Sequence, residues 1–377
     1  MSTDSESIVS YSLEQLEDLV SGLGQPRFRA KQLHEWIHLH NATSYDDMTN
    51  LPKTLRERLK ADFPLVKANI AEVRHSSDGT RKYLLKLADG ALVECVGIPE
   101  KGLSKESSSC KPLQTEISSP SKRMMEEGQG NEQRPRLTVC CSTQVGCAIK
   151  CAFCATGQQG LSRNLAADEI VAQVVAVGND FETRVANVVV MGQGEPFQNY
   201  EATLEAMRRM NSDAGLSIGA RHITVSTSGL CEGIKRLGNE PEQFRLAVSL
   251  HSADQDVRNA IMPRLSGENL KKLHSTLDYY CTEKGRRVTL EYMLLEGVND
   301  SEEDLRKLED FCKGLNVHVN LLPFNAVEGA SFVPSTPAVV NKWKVSLEND
   351  GIPCSVRKSK GADIAGACGQ LKSATKD

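Results

Sequence analysis

Three closely spaced cysteines have the clearest chemical potential in this sequence. Cys147, Cys151 and Cys154 fall within eight residues, in the stretch VGCAIKCAFCATG. Thiolates are soft ligands that suit zinc or an iron–sulfur cluster. A structural zinc site normally takes four protein ligands, and the sequence has no second Cys-x2-Cys pair to complete one. Three thiolates on a four-iron cluster leave one iron open to a small molecule, which is a catalytic arrangement. Zinc, or three unrelated cysteines, is the alternative.

The composition indicates where such a site would work. Of the 377 residues, 40% are hydrophobic and 25% are charged, as in an ordinary soluble globular protein. The first twenty residues contain acids but no Lys or Arg, which argues against a secretory signal and a transit peptide. The apolar runs are short, so no membrane span is predicted. We therefore expect a cytoplasmic protein, in which twelve cysteines favour metal binding or catalysis over disulfides.

The net charge of −4 gives no overall attraction to nucleic acid. Basic residues do occur in small groups, each of which also suits a solvated surface. These groups are Arg27, Arg29 and Lys31; Arg56, Arg58 and Lys60; Arg208 and Arg209; Arg286 and Arg287; and Arg357, Lys358 and Lys360. Charge alone therefore predicts no RNA binding.

The cysteine loop lies in a series of alternating strand and helix patterns. The predicted strands are Leu137–Cys141, Ala186–Met191, His222–Thr227, Phe244–Leu250, Val288–Leu294 and Val317–Leu322. The predicted helices between them are Ala167–Val177, Tyr200–Asn211, Leu270–Lys284 and Glu302–Gly314. Six strand–helix units in series predict an α/β fold with a parallel sheet. Because a closed barrel has eight such units, we expect a partial (β/α)6 barrel over residues 137–371, including a C-terminal tail, with its chemistry at the carboxyl ends of the strands.

Three segments precede this core. Residues 1–80 are predicted to form a small helical domain, whose first helix begins with a capping box from Ser12 to Gln15. Residues 81–100 alternate in hydrophobicity and predict a β-hairpin that leads to the core. Residues 101–136 are rich in Ser, Pro and charge, so they bury too little apolar surface to offset the entropy of ordering. We therefore predict a flexible insert there.

The spacing Cys-x3-Cys-x2-Cys, with Phe153 before the last cysteine, resembles the signature of the radical S-adenosylmethionine (SAM) superfamily. The resemblance implies a 4Fe–4S cluster on the three cysteines, with SAM on the open iron as the source of a 5′-deoxyadenosyl radical. Motifs that follow the predicted strands suit SAM, since glycine lets backbone approach a ligand and a carboxylate accepts from an ammonium group. The candidate SAM-binding residues are Gly194, Glu195, Ser226, Ser249, Leu250, His251 and Asn325.

Longer stretches resemble the RlmN and Cfr family of RNA adenosine methyltransferases, and the RlmN branch is the more similar. The matching stretches are PRFRAKQLHEWI, MTNLPKTLRERL, CSTQVGCAIKCAFCATGQQGLSRNL, VVMGQGEP, VSTSG, SLH, LLPFN and VRKSKGADIAGACGQL. They lie between residues 10 and 371 and leave out the insert, which is longer than in the compact family pattern. The resemblance implies that residues 1–80 bind RNA and that 23S rRNA and tRNA are the substrates. It also implies an electron donor such as flavodoxin or ferredoxin, and a monomer.

The resemblance assigns roles to three further residues. Cys368 takes a methyl group from one SAM, and a radical from a second SAM removes a hydrogen atom from it, so that the carbon adds to carbon 2 of adenine. Cys140 then attacks Cys368, which closes a transient disulfide and releases methyladenine. Glu94 is implied as the acceptor of the adenine proton, a role that suits a carboxylate.

Two alternatives stay open at this point. A Cfr-like enzyme would methylate carbon 8 of adenine, and the sequence discriminates poorly between the two carbons. A noncatalytic RNA-binding or redox module could use the cluster only as a scaffold. That second reading leaves Cys140, Cys368 and the SAM-like turn without a purpose.

Overall fold

A computed structural model gives the structure of the chain. It describes residues 8, 11–38, 42, 44–63, 65, 68–100, 136–213, 215–265 and 267–373. The predicted insert at 101–136 lies outside the described residues except for Arg136. No helix in the described part of the chain is long and apolar enough to span a membrane.

The N-terminal part of the chain folds around an interior of its own. Its described α-helices are α1 Leu13–Gly22, α2 Phe28–His38 and α3 Lys53–Asp62. The predicted capping box is confirmed, because the Gln15 amide donates to Ser12 Oγ and the Ser12 amide donates to Gln15 Oε1. Leu16, Leu33 and Leu59 are fully buried in a hydrophobic core formed by this part of the chain. The core of the sheet is a different set of residues.

One ten-stranded sheet runs through the rest of the described chain, and β5 and β6 form a separate two-stranded antiparallel sheet. The strands are β1 Ala68–His75, β2 Arg81–Leu87, β3 Leu92–Pro99, β4 Leu137–Cys140, β5 Gln144–Gly146, β6 Leu161–Asn164, β7 Val185–Val190, β8 Ile223–Thr227, β9 Arg245–Ser249, β10 Val288–Leu294, β11 Val317–Pro323 and β12 Cys354–Val356. Their order in the large sheet is β1-β2-β3-β4-β7-β8-β9-β10-β11-β12. Neighbours from β1 to β4 are antiparallel, and neighbours from β4 to β12 are parallel.

The partial barrel is confirmed, and the sheet extends beyond the prediction at both ends. The six predicted core strands are all present, and the short β12 adds a further parallel strand. Strand β12 was not predicted, because three residues are too few to show an alternation of apolar and polar residues. Strand β1 was not predicted, because it is mostly exposed. Ile70 in β1, for example, is 42% exposed, so the strand lacks the alternation that marks a half-buried one.

Helices connect the parallel strands. In the described core they are α4 Ala155–Gln159, α5 Ala167–Asp180, α6 Tyr200–Asn211, α7 Cys231–Asn239, α8 Gln255–Ile261, α9 Leu270–Thr282, α10 Glu302–Cys312 and α11 Pro337–Asn349. The four predicted helices correspond to α5, α6, α9 and α10, with ends that differ by up to three residues. Helices α4, α7, α8 and α11 were not predicted.

Alternation along the strands separates the core from the site. On β10, Leu290 and Tyr292 are buried in the main hydrophobic core, where Tyr292 lies 5.2 Å from Trp343 between ring centres. Glu291 and Met293, which point to the opposite side, line a cavity at the carboxyl ends of the strands. Alternate residues of β10 therefore face the cavity, and the residues between them face the core.

Candidate functional site

The cavity has a volume of about 600 Å³ and contains both groups of candidate thiols. The three clustered cysteines line it, and so do Cys140 and Cys368. Most of the candidate SAM-binding residues also line it, namely Gly194, Glu195, Ser226, Ser249, His251 and Asn325. The fold thus brings into one space residues that are far apart in the sequence.

The cysteine triplet occupies the loop between β5 and α4. The Ala152 amide of this loop donates to the Ile261 carbonyl over 2.9 Å, which ties the loop to the end of α8. Burial raises the pKa of the Cys147 thiol to about 11 and also raises the pKa of Cys151 and Cys154. A bound metal offsets this effect, because it binds the thiolate form.

These donors fit an iron–sulfur cluster better than a single ion. Among the described residues, no three His, Cys, Asp or Glu side chains are grouped so that they could hold one metal ion. In a cluster each thiolate binds a different iron, so the sulfurs do not have to converge on one point. Arg258 is fully buried and interacts electrostatically with Cys151, and its Nη1 has no hydrogen-bond partner in the described structure. A buried cation beside one of the three thiols suits an anionic cluster.

The turn after β7 holds a buried carboxylate in a fixed orientation. Glu195 Oε1 accepts from Thr227 Oγ1 at 2.8 Å, and Oε2 accepts from the amide and the hydroxyl of Ser228 at 2.7 and 2.6 Å. These donors favour the charged carboxylate, although burial raises its pKa. Gly194 has a φ of +104°, and a Cβ there would lie 2.7 Å from Gln144 Cβ. The turn therefore requires glycine at this position, because Gln144 fills the space beside it.

The residues after β9 face two different environments. The Leu250 side chain lies in the main core and does not line the cavity, because alternate residues face opposite sides of a strand. The His251 ring meets Phe153 edge-on, with 4.8 Å between ring centres, and its Nδ1 accepts from the Met293 amide at 3.1 Å. Burial lowers the pKa of His251 to about 3, so the ring is neutral. This histidine joins the cysteine loop to β10.

Cys140 and Cys368 are neighbours within the cavity. Cys140 ends β4 and is buried, and both residues are free thiols. Burial raises the pKa of Cys140 to about 12, and the charge of Cys368 contributes to the same shift. Asn325 Nδ2 donates to the Cys368 carbonyl at 3.4 Å. The next residue, Gly369, has a φ of +83°, a conformation that favours glycine.

Hydrogen bonds fix the C-terminal tail against the cysteine loop. The Ala155 amide donates to the Gly369 carbonyl at 2.8 Å, and Thr156 Oγ1 donates to the Leu371 carbonyl at 2.6 Å. Ala155 and Thr156 directly follow the last cysteine of the triplet. The tail that carries Cys368 is therefore held at the candidate cluster site.

Arg357 and Glu291 line the cavity but were not predicted as site residues. Arg357 follows β12 and forms no ion pair with any residue in the described structure, and its Nη1 contacts Met191 Sδ at 3.7 Å. Cys368, then Glu291 and Cys140, raise the pKa of Arg357, so its guanidinium faces both thiols. Glu291 on β10 is buried. A charged residue in an otherwise apolar strand was the signal that could have identified it.

Glu94 lines a different cavity from Cys140 and Cys368. It lines a neighbouring cavity of about 260 Å³, where Oε1 pairs with Lys82 Nζ at 3.0 Å and Oε2 accepts from the Lys372 amide at 2.7 Å. Burial raises the pKa of Glu94, and the charge of Lys82 opposes that effect. Glu94 is therefore bound to the tail that carries Cys368 but does not share its cavity.

The partial barrel and the cysteine loop define a radical SAM enzyme. The family model of the radical SAM superfamily matches residues 141–308. A solved structure, described as a radical SAM methyltransferase from Sphaerobacter thermophilus, matches with a TM-score of 0.85 and 40% sequence identity. The match covers 98% of this chain and 99% of that one. Membership of this class implies a 4Fe–4S cluster and SAM as cofactors.

Further similarities extend over almost the whole chain. The model of the ribosomal RNA large subunit methyltransferase N-terminal domain matches residues 7–64. Proteins from Staphylococcus aureus strains JH9 and Newman, each described as a probable dual-specificity RNA methyltransferase RlmN, are 40% identical over 372 residues. These matches cover 98% of this chain and 93% of each relative. The chain belongs to the RlmN family of radical SAM RNA methyltransferases, which confirms the family resemblance and the enzyme class.

Proposed function

We propose that this enzyme methylates carbon 2 of adenosine in 23S rRNA and in tRNA, as a cytoplasmic monomer. The proposal rests on the single cavity that contains the cysteine triplet, Cys140 and Cys368. The description of the relatives as dual-specificity enzymes supports two kinds of RNA substrate. Carbon 2 lies between two ring nitrogens and is electron-poor, so it does not attack a methyl donor by ordinary displacement. Radical chemistry removes this obstacle.

The residues of the cavity divide into two sets. Cys147, Cys151 and Cys154 would hold the cluster, and the candidate SAM-binding residues would hold SAM, with Glu195 as acceptor for its ammonium group. When bound, two SAM molecules per turnover and an electron from flavodoxin or ferredoxin supply a methyl group and a 5′-deoxyadenosyl radical. Neutral His251 would keep the cysteine loop in place beside them.

The chain's own thiols perform the transfer. Cys368 takes the methyl group as a thiolate, and this carbon, after loss of a hydrogen atom, bonds to carbon 2 of adenine. The adduct loses the proton of carbon 2 to a base and gives up one electron, which the oxidised cluster would take back when bound. Cys140 then attacks the Cys368 sulfur: the S–S bond forms, the Cys368 sulfur–carbon bond breaks, and its electron pair stays with the carbon, which takes a proton to become the methyl group. A thiol reductant restores both cysteines, and Arg357 offsets negative charge on either sulfur.

Removal of one cluster ligand tests the proposed function. The reconstituted wild-type enzyme, given SAM and a reductant without oxygen, is expected to produce 5′-deoxyadenosine and 2-methyladenosine in a 23S rRNA transcript. Cys151→Ala is expected to lose iron and both products, whereas Cys281→Ala in α9, outside the cavity, retains them. Iron analysis and nucleoside mass spectrometry provide the measurements. The product 8-methyladenosine would instead identify a Cfr-like reaction, and SAM cleavage without any methylated adenosine would refute methylation of RNA.

For Glu94 we propose the role of proton acceptor, supported by its buried carboxylate with a raised pKa. In the described conformation Oε2 is bound to the Lys372 amide, so the tail must release it before adenine can approach. The role therefore requires movement of the segment that follows Cys368.

A pair of variants separates this role from a structural one. Glu94→Gln alone leaves Lys82 buried without its counter-charge, and we expect it to lower the free energy of unfolding by about 3–5 kcal/mol. Addition of Lys82→Met should restore most of that loss. The double variant should still methylate Cys368 but methylate RNA about 10²–10⁴-fold more slowly. Denaturant unfolding and single-turnover assays measure both effects, and a double variant with the wild-type rate would show that Glu94 is not the base.

A further inference from the structure

A short basic segment lines the catalytic cavity. Arg357, Lys358, Ser359 and Lys360 are consecutive in the sequence, and all four line the cavity. Lys358 is exposed and forms no ion pair with any residue in the described structure, while Lys360 Nζ lies 3.8 Å from Asp78 Oδ2. Of the three acids that line the same cavity, Glu195 and Glu291 are buried and Glu100 is exposed.

The backbone of this segment is fixed at both ends. At one end the Arg357 amide donates to the Leu321 carbonyl at 2.9 Å and continues the pairing of β12 with β11. At the other end the Gly361 amide donates to Asp78 Oδ2 at 3.2 Å, and the Gly366 amide donates to the Gly361 carbonyl at 2.8 Å. The lysines between these anchors therefore stay at the mouth of the cavity.

The chemistry of the substrate places phosphates at this position. To reach Cys368, an adenine must leave its stack and enter the cavity. Its phosphates carry full charges, and burial of an unpaired charge is costly, so they must stay at the mouth. The protein as a whole has a net charge of −4 and gives RNA no general attraction, so the contacts that hold the backbone must be local.

We propose that Lys358 and Lys360 form a binding site for RNA phosphates next to the target adenosine. The inference rests on the proposed function, and it names the edge of the cavity on which the RNA backbone lies. Lysine contacts phosphate as a point charge and reads no base, so the site sets the position of the RNA rather than its sequence. Arg357, one residue deeper, faces the thiols instead of the RNA backbone.

The dependence of RNA binding on salt tests this site. In the holoenzyme with a 23S rRNA transcript, Lys358→Gln and Lys360→Gln should each lower the slope of log Kd against log salt concentration by about 0.7–0.9. The affinity lost over a fourfold rise in salt then becomes about 2.6- to 3.5-fold smaller for each lysine removed. KM for RNA should rise, while the single-turnover rate at saturating RNA stays unchanged. Lys344→Gln on α11, which is paired with Glu348 and lies outside the cavity, serves as the control.

Methylation of Cys368 without RNA separates this inference from the proposed function. Both lysine variants should methylate Cys368 from SAM at the wild-type rate, as measured by the mass of the intact protein. An unchanged salt slope in both variants would overturn the inference. Slower Cys368 methylation would also overturn it, because the lysines would then serve SAM. If the wild-type enzyme binds the transcript with the expected slope but makes no methyladenosine, the proposed function fails instead.

Discussion

Cys368→Ala is expected to abolish RNA methylation, with a loss of at least about a thousandfold, or about 4 kcal/mol of transition-state stabilisation. The variant removes the sulfur that carries the methyl group, and no other thiol in the described tail can replace it. Cys140 lies in the same cavity, but its thiol is buried, which raises its pKa to about 12 and leaves little thiolate. The cluster should still form, because its three ligands are untouched.

Two measurements test this expectation. Nucleoside mass spectrometry follows methyladenosine, and peptide mass spectrometry follows the added methyl group on the tail. Cys281→Ala serves as the matched control, since it removes a buried thiol outside the cavity. Methylated RNA from Cys368→Ala at a rate near that of the control would rule out the methyl-cysteine pathway.

Cys140→Ala is expected to block the reaction after adenine has bonded to the Cys368 methylene, and to leave a covalent protein–RNA adduct. The enzyme should still methylate Cys368 and attach the resulting carbon to adenine. Without the attacking thiol, the Cys368 sulfur–carbon bond does not break, and RNA stays covalently bound to the protein. We expect at most about one RNA per enzyme and a loss of turnover similar to that of Cys368→Ala.

Denaturing electrophoresis with labelled RNA distinguishes the two cysteine variants. A protein–RNA band should accumulate with Cys140→Ala, and it should be absent with Cys368→Ala and with the double variant. Nuclease digestion and peptide mass spectrometry should then identify Cys368 as the attachment point. Normal turnover by Cys140→Ala, with free methylated RNA, would show that another group resolves the adduct.

Local patterns predicted most of the fold. The core strands have apolar, β-branched runs, and the capping box at Ser12 is a signal within four residues, so both depend on neighbours in the chain. The exposed β1 and the three-residue β12 gain their conformation from the strands beside them. Pairing partners that are distant in sequence leave no local pattern, so these strands were missed.

The site residues, like the strands, divide into those that a local pattern predicted and those that depend on distant parts of the chain. Spacing alone indicated the cysteine loop, because cluster ligands close together in sequence share a loop. The Ser-Leu-His motif was predicted as a unit, but its side chains face different sides of the strand. The Leu250 side chain is in the core, while His251 lines the cavity. The separation of Glu94 from the thiols depends on the path of the tail, and no local pattern encodes that path.

The N-terminal helices have a hydrophobic core that shares no residue with the core of the sheet. In evolutionary terms, each part can change its interior without a compensating change in the other, because packing constraints act between residues in contact. The barrel could therefore gain or exchange its N-terminal helices during evolution while its thiol chemistry stayed the same. Substitutions in the interior of one part should then leave the packing of the other part unchanged.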